Sequence, residues 1–162
     1  MNPNRSIPPS VLTLTGVIGF LLGFALQLLI VNSGYPLLLP AWLSLAMVAA
    51  IAAVILILGL RVRAAIASKE RTVNPFAALR LLAAARCAQL AGIGFAAAHL
   101  ATALLLLLRP VGVGITQWSV VLAAILVYTA LAVIGIIVER FCKLPPVDND
   151  ELPPLDEEPA TA

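Results

Sequence analysis

The chain has one histidine, His99, and it lies in the stretch IGFAAAHLATALLLLLRP, Ile93 to Pro110, where the first permanent charge is Arg109. Imidazole titrates near neutral pH, so it can relay protons. An ionisable group at membrane depth is a candidate site by default. A proton relay, however, needs a second station, and no Asp or Glu falls inside any apolar run; the acids sit in the middle connection or at and beyond the end of the last run. His99 is therefore read as a neutral ring that bonds a neighbouring helix. At 1.5 Å per residue it lies about 18 Å along its run from Cys87, and Tyr128 lies about 15 Å from the matching end of the next run. The two share a depth. The expected contact is a hydrogen bond from His99 to Tyr128, or to Thr129 if the helix is turned slightly, worth about 0.6 kcal/mol on average and up to roughly 1.7 kcal/mol in a bilayer.

The other residues with chemical potential are Arg80, Arg86, Glu139 and Arg140, at the margins of the last two apolar runs. An enzyme in a membrane needs several polar groups at one depth, and only this rim approaches that. Glu139 is expected to pair with Lys143 at i,i+4, or with Arg86 across the bundle. The plainer role is an interfacial anchor. Cys87 and Cys142 lack CxxC spacing, so they form no zinc motif, and two cysteines make no disulfide framework; both are expected as free thiols in a reducing compartment. No catalytic residue, cofactor site or metal site is expected. Nucleic-acid binding has no support, because no basic, aromatic-interleaved patch lies outside the apolar runs.

The elements that carry these residues follow from composition. The chain has 162 residues, 62% hydrophobic and only 11% charged, whereas soluble domains are about one-quarter charged. A helix crosses the roughly 30 Å hydrocarbon core with about 20 apolar residues. Four runs have that length: 11–31, 41–60, 87–108 and 118–138. They are continuous rather than alternating, and an open sheet edge is not satisfied in lipid. The predicted fold is all-α, a four-transmembrane-helix bundle of two antiparallel hairpins. Its short turns are NSGYPLLLP, with Gly34, Pro36 and Pro40, and RPVGVGITQ. The connection 61–86 carries a helix start at Asn74–Pro75, with the helix running on into span three. Residues 1–10 form an N-terminal tail, 11–144 the membrane domain, and 145–162 an acidic, proline-rich segment predicted to be disordered. Gly16, Gly19 and Gly23 fall on one stripe of span one, for close packing within the monomer or at a homodimer seam. Trp42 and Trp118 begin spans as interfacial anchors.

Nine of the ten Lys and Arg residues, all but Arg109, fall on one side of a four-span chain. Basic residues are retained on the cytoplasmic side, so both termini are predicted to be cytoplasmic. A cleaved signal peptide is not expected: the first run is too long, its basic region is thin, and no A-x-A site follows it.

The block VERFCKLPP, Val138 to Pro146, leaves span four, and NPFAALRLLAAARCAQLAG, Asn74 to Gly92, enters span three. Both blocks resemble the small four-span membrane proteins of actinobacteria grouped as domain of unknown function 3180, whose members usually carry Arg where Lys143 stands. The resemblance implies a bacterial inner-membrane protein with no assigned activity, often encoded near folate-biosynthesis genes. Together these readings predict a non-enzymatic scaffold or accessory subunit of a membrane or envelope complex, in contact with the lipid bilayer and with a membrane-protein partner or a second copy of itself. The alternative is an oligomeric small-solute transporter or channel subunit. Small four-helix exporters usually place a carboxylate in the first span, which here offers Thr13, Thr15 and Gln27.

Overall fold

The computed structural model describes residues 7–67, 75–108 and 114–141. Among them are four α-helices and no strand: α1 (Pro9–Asn32), α2 (Trp42–Ala67), α3 (Pro75–Leu108) and α4 (Ile115–Phe141). Each is long and apolar enough to cross a membrane. Arg5, Lys69, Arg71, Asn74, Arg109, Cys142, Lys143 and the acidic C-terminal segment lie outside the described residues.

Local chemistry sets the helix ends. Pro9 occupies the first position of α1, where its missing N–H removes no helical hydrogen bond. The helix closes through bonds from Ser33 N to Leu29 O, Gly34 N to Val31 O and Tyr35 N to Ile30 O, with Gly34 at φ +81°. That left-handed turn needs glycine and satisfies the last carbonyls. Helix α3 runs unbroken from Pro75. Its 34 residues make it about 51 Å long, well beyond the hydrocarbon thickness, so its first turns project past the apolar layer. The C-terminal turns of α2, with Arg61 and Arg63, project at the same end.

The helices pack in a row, α1–α3–α4–α2. Helices α3 and α4 form the antiparallel centre. Helix α1 runs parallel to α3, α2 runs parallel to α4 and touches α3 slightly, and α1 contacts neither α2 nor α4. The four-helix bundle has the expected composition, but its first hairpin is splayed. The reason lies in the connection 33–41. Its Leu37 and Leu39 pack on a cluster of Ala103, Leu106 and Val121, with Trp118 and Ile125. The segment is thus a strap laid across the α3–α4 pair, with α1 on one flank and α2 on the other.

Small residues hold the row together. A Cβ at Gly92 would lie 2.6 Å from Ala132 N and 2.7 Å from Tyr128 O, and one at Gly135 would lie 2.7 Å from Ala85 O. Gly19 rests on the backbone of Gly94, Gly23 on that of Ala98, and Gly16 faces the Ile93 side chain. The glycine stripe of α1 therefore faces α3 within the monomer. On the other flank Gly59 receives Val138. Apolar burial between helices gains little in lipid, so the backbone approach and dispersion contacts that these residues allow drive association. Large side chains point outward instead: Leu22 and Leu29 on α1, Leu43 and Met47 on α2, and Leu126 on α4 are all more than 60% exposed. Every charged side chain among the described residues sits at one end of the row, on α2, α3 or α4.

Candidate functional site

Polar side chains inside the bundle occur at three levels. At the charged end, the antiparallel α3–α4 register set by Gly135 against Ala85 brings Arg86 opposite Glu139. Arg86 Nε lies 3.6 Å from Glu139 Oε1, with the Glu139 side chain 5% exposed and that of Arg86 31% exposed. Gln89, also buried, lies over Gly135, whose missing side chain leaves it room. Glu139 Oε1 and Gln89 Oε1 are buried without a hydrogen-bond partner. An apolar cluster of Leu81, Ala85 and Val138, with Ile55 and Val62 of α2, lies beside the pair. The structure does not gather the whole rim: Arg80 and Arg140 are exposed, Cys87 is an exposed free thiol, and Lys143 and Cys142 lie outside the described residues. Among the described residues no three His, Cys, Asp or Glu side chains group as metal ligands.

At mid-depth, His99 and Tyr128 meet as the shared depth predicts, but the contact differs from the expected hydrogen bond. The rings stack with centroids 5.3 Å apart and planes 22° apart, and Phe95 stacks on the same phenol at 5.2 Å. The close crossing at Gly92 brings the rings face to face. His99 Nδ1 is buried without a hydrogen-bond partner. Thr129 is exposed and does not substitute. Stacking needs a ring rather than a nitrogen, and such a pair is worth about 0.5–1.5 kcal/mol. His99→Phe should therefore unfold in detergent at nearly the wild-type temperature, while His99→Ala should be measurably less stable. Equal losses in both variants would contradict stacking as the role of this side chain.

At the far end, Gln27 is 6% exposed. Its Nε2 donates to Leu38 O at 2.9 Å and to Thr102 Oγ1 at 3.3 Å, and its Oε1 accepts from Leu38 N at 3.2 Å. One amide thus ties α1, the strap and α3 together. Thr13 and Thr15 bond only to carbonyls of their own helix. Gln27→Leu removes three hydrogen bonds, two of them to the part-buried backbone of Leu38, and a typical bond contributes about 0.5–1.5 kcal/mol net. Proteolysis or hydrogen exchange should find the strap freed first. Unchanged protection of residues 35–39 would contradict this.

From sequence alone Gln27 stands out only as a polar residue of span one, and Gln89, Thr102 and Phe95 do not stand out. An amide in the interior of a 24-residue apolar helix is a usable signal for Gln27. The other three became visible only through their neighbours on α1 and α4.

No curated protein and no solved structure matches the chain. A family model described as protein of unknown function matches residues 12–146, which takes in all but the first three residues of the helical row and the ERFCKLPP block that begins in the last turn of α4. The chain belongs to the DUF3180 family.

Proposed function

We propose that this protein is a non-enzymatic, multi-pass scaffold or accessory subunit of a complex in a bacterial cytoplasmic membrane. The observation that carries the reading is the use made of the polar side chains within the spans. Gln27 ties the strap to α1 and α3, Tyr128 takes His99 and Phe95, and Arg86 takes Glu139. They join neighbouring elements at separate levels instead of converging on one cavity. The long apolar flanks of α1 and α2 are left for lipid or another membrane protein. Purification of the full chain from native membranes in mild detergent should yield a stoichiometric partner. Recovery as a lone chain at native expression would count against the scaffold.

In this reading both termini face the cytoplasm, since the charged end carries the basic residues that resist translocation. A reporter fused after Ala162 or within residues 64–68 should read cytoplasmic, and one near Gly34 or Gly112 external. A periplasmic C-terminal reporter would overturn the orientation.

A second reading, an oligomeric small-solute transporter or channel subunit, has one observation in its favour. His99 Nδ1, Gln89 Oε1 and Glu139 Oε1 are buried without hydrogen-bond partners, as pathway groups waiting for a solute would be. Solute flux by the purified protein in liposomes, abolished in a folded His99→Phe variant, would select this reading over the scaffold.

A further inference from the structure

The charged end is built for one kind of ligand. Arg61 and Arg63 leave it on α2, Arg80 on α3 and Arg140 on α4, and all four are exposed. The single acid among the described residues, Glu139, is buried and already faces Arg86. None of the four exposed arginines makes an ion pair among the described residues, and Arg63 is instead oriented by its guanidinium lying 4.7 Å over the Phe141 ring. Val62, between Arg61 and Arg63, packs on the cluster of Leu81 and Ala85. This brings the α2 arginines to the level of α3 where Arg80 precedes Leu81.

Depth identifies the level. Trp42, the first residue of α2, is 57% exposed, as an interfacial tryptophan is. From Trp42 to Arg61 the helix rises about 29 Å, and from Trp118 to Arg140 about 33 Å. Both spans match a hydrocarbon layer of about 30 Å. The guanidinium groups thus lie at the level of lipid phosphates, beside apolar helix faces that acyl chains can cover. Guanidinium donates paired hydrogen bonds that match phosphate oxygens.

We propose that Arg61, Arg63, Arg80 and Arg140 form a collar that binds the headgroups of anionic phospholipids in the adjacent leaflet. The test is native mass spectrometry of the full chain released from bilayers of phosphatidylcholine mixed equally with phosphatidylglycerol. Retained lipid should be mainly phosphatidylglycerol. Each basic residue at an anionic surface strengthens binding roughly fivefold, so Arg61→Gln with Arg80→Gln should cut that preference by about tenfold or more. Arg61→Lys with Arg80→Lys should retain much of it. An undiminished preference in the glutamine variant would overturn the proposal. So would displacement of lipid by inorganic phosphate as effective as that by phosphatidylglycerol, which would mark a free-anion site. Should the glutamine variant lose its fold, a salt series on the wild-type chain decides. The preference must fall as salt screens the charges, and a preference indifferent to salt would overturn the collar.

Discussion

Gly92→Val will separate α3 from α4. The first atom of any side chain at this position falls 2.6–2.7 Å from Ala132 N and Tyr128 O. Those are backbone atoms of a helix and have no rotamer with which to yield. Overpacking usually costs about 1–3 kcal/mol, occasionally more, and a collision with backbone on the central helix pair belongs at the top of that range. The loss should spread, because the same crossing aligns Arg86 with Glu139 and His99 with Tyr128. Thermal unfolding in detergent should show a lower midpoint, with the α3–α4 stack lost before helix content. Gly34→Val makes a useful contrast. Gly34 has open space around it but a positive φ, so its substitution should strain only the start of the strap. A Gly92→Val protein as stable as wild type would mean that the central helices do not approach this closely.

Removing the arginine of the buried ion pair has the second large effect. Glu139 is almost fully enclosed, whereas Arg86 still reaches solvent. Arg86→Met therefore leaves a carboxylate in an apolar seam. Breaking a buried pair on one side costs about 3–5 kcal/mol, and the partial exposure of Arg86 places this case near the lower end. Replacing both partners, Arg86→Met with Glu139→Leu, removes the orphaned charge and should recover most of the stability. The pattern to measure is therefore a double-mutant cycle: a large loss in Arg86→Met and a small loss in the double variant. If the losses of Arg86→Met and Glu139→Leu, each measured singly, simply add in the double variant, the pair is two independent interfacial charges and does not join α3 to α4.

The spans were legible because membrane insertion depends on composition and length, and four uninterrupted apolar runs leave one architecture. The continuous α3 was legible as well, since Pro75 opens it and nothing breaks it before Leu108. The neighbour order was not. Short connections argue for adjacent helices, but Leu37 and Leu39 turn the first connection into a strap, and their apolar character is unremarkable in so apolar a chain. The glycines of span one formed a visible stripe. Gly92 shares a face with Ala88, Ala96 and Ala103, small residues that mark packing against another helix, whereas Gly135 is the single glycine of its helix and carries no pattern of its own. Depth arithmetic placed His99 beside Tyr128. Whether two rings bond through their edges or stack through their faces depends on how close the backbones come, and Gly92, about two turns from His99 along α3, sets that approach. The rim was legible as a set of charges. Which two of them meet followed from the Ala85–Gly135 register, which sequence alone does not specify.

The central claim is the helix order α1–α3–α4–α2, from which the strap, the stacked rings and the ion pair all follow. Disulfide cross-linking in native membranes tests it directly, with both natural cysteines, Cys87 and Cys142, changed to serine. The side chain of Thr15 lies 3.6 Å from a Cβ built at Gly94, so Thr15→Cys with Gly94→Cys should cross-link rapidly within one chain under mild oxidation. Cysteine pairs between α1 and α2 at matching depth, such as Leu22→Cys with Ile51→Cys, should not. Rapid cross-linking between α1 and α2, with none between Thr15→Cys and Gly94→Cys, would show a closed first hairpin and contradict the row.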